Sequence, residues 1–244
     1  MKVAIIIPTY NSINFVDQCI ESAISQDYKN CEIFVYDNES TDGTYEYLLE
    51  KYSNIDNIKI ISIENIYSNS YREAFEHAFE NIDTDYITFV ASDDYLSSDY
   101  ISNCINIISK NPEKIKCLQS AIIGVENDKA VMTQVHKYKS LSEFKTLCLT
   151  KSPVNTPTVI YHKSLYDKLK TTAHIENKIS CSGAEDYDMY CNLADNNIFI
   201  YPVPIHLGYF YRWHKGQCTW KVHKDPNNYD NIIQTYWKSK WNSE

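Results

Sequence analysis

Apolar and polar positions alternate in blocks from the first residues onward. Residues 3–7 form an unbroken apolar, β-branched run stopped by Pro8, which predicts a strand buried on both faces, as in parallel sheets. After the loop Thr9-Tyr10-Asn11-Ser12, the residues Phe15, Val16, Cys19, Ile20, Ala23 and Ile24 recur at helical spacing, with Ser12 or Asn14 available as N-cap. The unit then repeats as strand 31–36, polar loop 37–43 and helix 44–52. Strand 58–63 follows, then a helix marked by Ala74, Phe75, Ala78 and Phe79, then strand 86–90. Strands alternating with helices imply right-handed crossovers and an α/β fold whose mostly parallel central sheet is flanked by helices. Ligands of such sheets collect at the carboxyl ends of strands, so the loops at Thr9, Asp37 and Asp93 should open on one crevice.

The pattern loosens afterwards and predicts an α+β region. It contains a helix at 98–110, strands at 117–125 and 130–135 joined by a turn at Glu126-Asn127-Asp128, and a helix at 141–149. Pro153 and Pro157 bracket an extended segment running to 161. Gly183 precedes a helix with Tyr187, Tyr190, Leu193 and Ala194 on one face. Strands at 198–201 and 205–212 and a last helix at 227–241 complete the chain.

With 244 residues, 43% of them hydrophobic, the chain can bury one substantial core. Its net charge of −9 argues against nucleic acid as a partner and requires a local device, a metal ion or a helix N-terminus, for any anionic ligand. The eight cysteines are scattered without zinc spacing, and Met1-Lys2 runs straight into a strand rather than a secretory signal. Both features favour buried free thiols in a reducing cytoplasm. No uncharged apolar run approaches the roughly 18–20 residues of a spanning helix, so the chain reads as soluble or at most peripheral at the inner face of the membrane.

The fourth strand exits into Ala91-Ser92-Asp93-Asp94-Tyr95-Leu96. Paired carboxylates there suit Mg²⁺ or Mn²⁺, which keep positions open for substrate phosphates; taken alone, such a pair is more often a solvated turn or a helix cap. The first loop has no Gly-x-Gly-x-x-Gly, which disfavours a dehydrogenase. In the second loop Asp42 is a credible N-cap, and Asp37, at the strand's end, can accept an N–H from a pyrimidine or guanine base.

Together the three loops resemble the family 2 glycosyltransferases, a group with the GT-A fold. The matching stretches are Ile-Pro-Thr-Tyr-Asn at 7–11, Asp-Asn-Glu-Ser-Thr-Asp-Gly-Thr at 37–44 and Ser-Asp-Asp-Tyr-Leu at 92–96. Where the family usually has Asp-Asp-Gly-Ser, this chain has Asn38 for the second Asp and Glu39 for the Gly. The family's Asp-x-Asp-Asp becomes Ala91-Ser92-Asp93-Asp94, losing the leading acid. The resemblance implies one GT-A-like domain, with 1–97 as the nucleotide-sugar half, 98–226 as the acceptor half and 227–244 as a C-terminal helix. It implies a nucleotide-diphospho-sugar donor, a UDP-sugar foremost, held by Pro8, Thr9, Tyr10, Asn11, Asp37, Asn38, Ser40, Arg72, Ser92, Asp93 and Arg212. Mn²⁺ or Mg²⁺ would sit at Asp93, Asp94 and His214, bound more weakly for want of an acid at Ala91.

Gly183-Ala184-Glu185-Asp186-Tyr187-Asp188 resembles the family's Glu-Asp segment, where a carboxylate serves as general base; Asp186 is favoured over Glu185. The helix dipole at that position would tend to lower its pKa. Tyr211-Arg212-Trp213-His214 resembles a late family element in which Arg212 would brace phosphate oxygens, His214 would ligate the cation, and Trp213 would stack on a sugar or pack. The implied reaction is inverting transfer to a hydroxyl of a saccharide or lipid-linked saccharide acceptor, in surface polysaccharide or glycoconjugate synthesis. Tyr236-Trp237-Lys238-Ser239-Lys240-Trp241 fits a helix packing its tryptophans on the core better than one lying on a membrane. Two other classes remain: a nucleotide-sugar-binding protein without turnover, and a sugar-phosphate nucleotidyltransferase, which would want a Gly-rich basic loop absent here.

Overall fold

The structure, a computed structural model, describes residues 1–65, 72–169, 185–217 and 229–243, the side chains of 72 and 73 excepted. Strands β1 (Val3–Thr9), β2 (Cys31–Asp37), β3 (Ile58–Ser62) and β4 (Tyr86–Phe89) alternate with helices α1 (Val16–Ile24), α2 (Thr44–Tyr52) and α3 (Arg72–Asn81). The short β5 (Tyr95–Leu96) leads to α4 (Tyr100–Ile108), β6 (Cys117–Glu126), β7 (Lys129–Gln134) and α5 (Leu141–Cys148). Then come β8 (Ile160–His162), α6 (Glu185–Asp195), β9 (Tyr201–Arg212) and α7 (Tyr229–Asn242). The described strands form one sheet in the order β3-β2-β1-β4-β8-β6-β9-β5, with β7 on β6. Pairing is parallel from β3 to β4, antiparallel on both sides of β8, and parallel again between β6 and β9. Strands from both halves of the chain thus share one sheet.

The period-2 alternation of β1 and β2 supplies two cores. Ala4, Ile6, Phe34 and Tyr36 face α3, α6 and α7, while Val3, Ile5, Ile7, Ile33 and Val35 face α1, α2 and α4. The six described cysteines are all buried and free, as expected.

Several boundaries differ from the sequence reading for physical reasons. β1 continues through Pro8 to Thr9, because β4 ends opposite Ile6 and one edge of β1 has no partner strand at Pro8. Residues 198–212 do not form two strands. One strand, β9, carries a register shift in which Val203 pairs Ser120 and His206 pairs Ala121, so that Pro204 and Ile205 bulge out of the ladder. The extended segment after Pro153 contains a 3-10 turn, Thr156–Thr158. Neither Ser12 nor Asn14 caps α1 with its side chain; the Ser12 carbonyl accepts from Phe15 and Val16 N–H, each at 2.9 Å. The 126–128 turn is confirmed, with Asn127 and Asp128 at φ 48° and 60°, as a two-residue hairpin turn requires.

Helix α7 is held to α6 by its aromatic residues. Trp237 is fully buried and donates Nε1–H to Asp188 at 2.7 Å, and Trp241 donates to Asp195 at 3.0 Å. The tryptophans therefore pack on the protein. No described helix is long and apolar enough to cross a membrane.

The helices that follow the first two loops are clasped together. Asp17 Oδ1 on α1 accepts from Lys51, from Tyr47 Oη at 2.5 Å and from Tyr52 Oη at 2.6 Å, all on α2. The Lys51 ammonium, followed by the two hydroxyls, holds the Asp17 carboxyl down at about 2. A depressed acid stabilises the fold above its unfolded pKa, near 3.8, and that contribution is lost as pH falls through about 2. Because the group is half exposed, Asp17→Asn is expected to cost under about 1 kcal/mol at pH 7. In urea unfolding at several pH values the gap from wild type should close between pH 4 and 2; a gap independent of pH would remove the clasp's electrostatic character.

Candidate active site

Three loops and the end of β9 are tied to one another by short polar side chains. Loop one meets loop two through Asn38 N–H to Thr9 O at 2.9 Å, Asn11 N–H to Ser40 Oγ at 2.9 Å and Thr41 N–H to Asn11 Oδ1 at 2.8 Å. Asn11 sits at φ 49°, a left-handed conformation that Asn tolerates better than most residues. Asp42 accepts from Thr44 N–H at 3.0 Å and from Ile13 N–H at 3.2 Å, so it ties the start of α2 to loop one from one position earlier than expected, the N-cap itself being Gly43. Loop three joins them through Ser12 Oγ and Ser92 Oγ, 2.7 Å apart.

The acidic pair divides into two environments. Asp94 is fully buried; its Oδ2 accepts from Tyr209 Oη at 2.7 Å and its Oδ1 from Arg212 N–H at 2.8 Å. Burial, then the charge of Asp93, pushes the Asp94 carboxyl well above the ordinary carboxylate range. Both oxygens are engaged and the residue does not line the cavity, so Asp94 is corrected from a candidate metal ligand to a strut between loop three and β9. Close approach there depends on Gly208, at φ 124°, since a Cβ would lie 1.9 Å from Ser97 Oγ. Asp93, half-buried, faces His214, with Oδ2 2.9 Å from Nε2. Gly216 N–H donates to His214 Nδ1 at 3.2 Å, which makes Nδ1 the acceptor and leaves Nε2–H for Asp93. The imidazole also packs on Phe15, ring centroids 4.5 Å apart.

Arg212 is not free to reach into the cavity as expected. Its Nε–H donates to Asp93 O at 2.7 Å and its Nη2–H to Gln18 at 2.5 Å, and its guanidinium lies over the Phe15 and Tyr95 rings. Trp213 packs at Gly124, where a Cβ would come within 3.0 Å of its Nε1.

A cavity of about 600 Å³ opens between these loops. Of the residues singled out in the sequence, Pro8, Thr9, Tyr10, Asn11, Asn38, Ser92, Asp93 and His214 line it. Asp37 lies just behind, 1% exposed; Oδ2 accepts from Ser40 N–H at 3.0 Å while its buried Oδ1 has no partner among the described residues. Arg72 opens α3, and its side chain lies outside the described residues, as do Gly183 and Ala184. Asp186, on the first turn of α6, accepts Thr156 Oγ1–H on Oδ2 and Tyr187 N–H on Oδ1 at 2.8 Å. Thr156 lines the cavity, which links Asp186 to it; Glu185 shares the helix start but does not line it. Burial raises the Asp186 carboxyl, outweighing the opposing Thr156 hydroxyl and Tyr187 N–H. The expected lowering by the helix dipole therefore does not prevail.

The aromatic wall was not legible in the sequence. Phe75 and Phe89 stack 5.0 Å apart with Tyr161 edge-on, and all three line the cavity although their spacing marked them, where it marked them at all, as core. Thr156, Pro157, Gly216 and Gln217 carried no signal that sequence reading could use.

Comparison with known proteins agrees with this geometry. The model of glycosyl transferase family 2 matches residues 4–170, which leaves Asp186 beyond the match. A Methanococcus voltae dolichyl N-acetyl-alpha-D-glucosaminyl phosphate 3-beta-D-2,3-diacetamido-2,3-dideoxy-beta-D-glucuronosyltransferase is 27% identical over 221 residues, 86% of this chain and 66% of that protein. The Escherichia coli UDP-Glc:alpha-D-GlcNAc-diphosphoundecaprenol beta-1,3-glucosyltransferase WfaP is 38% identical over 106 residues, 43% of this chain and 41% of its own. Residues 1–349 of Staphylococcus aureus TarS, solved with UDP-GlcNAc, superpose with a TM-score of 0.70 at 24% identity, covering 93% of this chain and 62% of that one. The chain spans less than two thirds of each of these proteins, and the superposition bears out the expected GT-A-like fold.

Tyr209 tests the strut. Tyr209→Phe withdraws a donor from a buried carboxylate and is expected to cost about 1–3 kcal/mol. The urea midpoint should fall with the slope unchanged; an unaltered midpoint would mean that Asp94 does not depend on the Tyr209 hydroxyl.

Proposed function

The chain belongs to glycosyl transferase family 2, and from that premise we propose that it moves a hexosyl group from a UDP-sugar to a hydroxyl of a saccharide or lipid-linked saccharide acceptor, with inversion. One observation carries the reading: loops from the ends of β1, β2 and β4 converge on one cavity with the Asp93–His214 pair, while Asp186 stands behind Thr156 on another wall. Relatives whose names specify dolichyl and diphosphoundecaprenol substrates support the lipid-linked acceptor. The UDP-GlcNAc complex of TarS supports the donor class.

The nucleotide base would lie between loops one and two, where the buried Oδ1 of Asp37, without a partner among the described residues, suits the N–H edge of a pyrimidine. Asp93 and His214 would hold a divalent cation together with the donor's diphosphate, His214 through Nε2 once that proton has moved to Nδ1 and the Gly216 N–H contact is released. Their oxygen and imidazole donors fit Mn²⁺ better than Mg²⁺, which prefers oxygen alone. Among the described residues no group of three or more His, Cys, Asp and Glu is placed to hold a metal, so the protein's own share would be two ligands. Such an ion would supply charge neutralisation at the departing diphosphate. Asp186 would be the final base for the attacking hydroxyl's proton, its basicity raised by burial. Arg212, braced on Asp93 O, would keep loop three in place as the charge moves.

The test is a panel of UDP-, GDP- and dTDP-sugars with and without Mn²⁺, scored by thermal shift and nucleotide release. Wild type should be stabilised by a UDP-sugar and Mn²⁺ together. Asp93→Asn should reduce the Mn²⁺-dependent part, and Asp186→Asn should keep the shift while losing release by about 10²-fold or more. No shift with any sugar nucleotide at millimolar concentration would overturn the reading.

A further inference from the structure

Residues 155–158 carry no charge and match no motif, yet a buried polar network is built around them. Asn155, 4% exposed, donates its N–H to Gln119 Oε1 at 2.8 Å and its Nδ2–H to Ser120 O at 2.8 Å and Gln134 O at 3.1 Å. Thr158, fully buried, accepts Ser120 N–H on Oγ1 at 3.0 Å and donates its own N–H to Asn155 O at 2.9 Å. Gln119 is itself held by bonds from its Nε2 to Tyr138 Oη and to Pro153 O, both 2.8 Å. A fully satisfied network in a low-dielectric interior fixes geometry far more tightly than a connecting turn needs. What it fixes is Thr156, whose side chain lines the cavity and donates Oγ1–H to Asp186 Oδ2. Asp186 does not itself line the cavity, and its other oxygen is occupied by Tyr187 N–H.

We propose that Thr156 is the cavity-side half of the base: the attacking hydroxyl gives its proton to Thr156 Oγ1 while Thr156 gives its own to Asp186 Oδ2. This rests on the reading of Asp186 as the base. The attacking O–H bond breaks as the new bond to the anomeric carbon forms. The bond from that carbon to the diphosphate breaks with its electron pair on the leaving group, and Asp186 ends neutral. Thr156 ends as it began, with one proton exchanged for another. Asp186 does not line the cavity whereas Thr156 does, so direct transfer would instead require the Asp186 carboxylate to turn out past Thr156.

Among the described residues, the charged group acting on Asp186 from a facing helix is Asp230 on α7, which raises its carboxyl as burial does, while the Thr156 hydroxyl opposes both. The experiment uses nucleotide release from UDP-glucose and UDP-GlcNAc with water as acceptor, under single-turnover conditions. Thr156→Val keeps the shape and removes the hydroxyl; Thr156→Ser keeps the hydroxyl. Val is expected to lower the chemical rate about 10–100-fold with the donor-induced thermal shift intact, and to move the acid limb of the pH–rate profile to higher pH. Ser should restore most of the rate, and wild type should give a curved proton inventory reporting two protons in flight. A Val variant with wild-type rate and pH profile, a Ser variant as slow as Val, or a linear inventory in wild type would each overturn the relay. Undiminished release by Asp186→Asn would instead overturn the assignment of the base, which separates the two failures.

Discussion

The arrangement of the site depends on one buried carboxylate. Asp94 sits where loop three, from the N-terminal part of the chain, meets β9, from the C-terminal part, and each of its oxygens takes a hydrogen bond from β9. A buried acid is tolerated only if its partners satisfy it, so any displacement of β9 from the loop would strand the group in an apolar surrounding. The consequence is positional. Asp93 precedes Asp94 and His214 follows Arg212 by two residues, so the strut that locks Asp94 to Arg212 also fixes the 2.9 Å approach of Asp93 to His214. Arg212 adds a second tie from its side chain to the Asp93 carbonyl. Two residues that read as direct participants in the sequence instead hold Asp93 and His214 in place.

Much of the fold could be read from the chain because its period is informative where strands are buried on both faces. The β1, β2 and β4 runs and the helices between them need only local periodicity, and their ends were placed within a few residues. Loops one, two and three were legible for a related reason: their residue types are short polar groups at strand exits, and Asn11, Asp42 and Ser92 still do the tying that those types can do. β9 was broken in two because Pro204 reads locally as an end of pairing, and only the partner strand β6 shows that the ladder resumes after a bulge. Likewise, nothing local distinguishes Asp93 from Asp94. Their opposite fates are set by Tyr209 and Arg212, more than a hundred residues away.

The wall around Thr156 shows the same limit in a sharper form. Thr156 is one threonine among many, and its importance comes from Asn155, Gln119 and Ser120, which hold its turn, and from Asp186, which it meets across thirty residues of sequence. Helix α6, which bears Asp186, is in turn secured from outside by Trp237 on Asp188 and by Trp241 on Asp195. The aromatic run at the chain's last helix, which could be read as a membrane contact, is engaged in fixing the helix that carries the candidate base.

Charge gives the two walls different parts. The chain is acidic overall, and among the described residues lining the cavity there is no lysine or arginine; the lining carboxylate is Asp93 and the lining imidazole His214. Arg212, a nearby cation, is held to Asp93 O and Gln18 through its Nε–H and an Nη2–H. A UDP-sugar's diphosphate would therefore meet a carboxylate with no described cationic side chain lining the cavity to offset it. On the proposed reading that imbalance is the strongest physical reason for a divalent cation, because Asp93 would change from a repulsive neighbour of the diphosphate into a ligand shared with it. With Asp94 committed to the strut and an alanine at position 91, the protein would bring only two ligands. The cation would then bind tightly only together with the donor, so metal and donor affinities would be reciprocally coupled rather than independent.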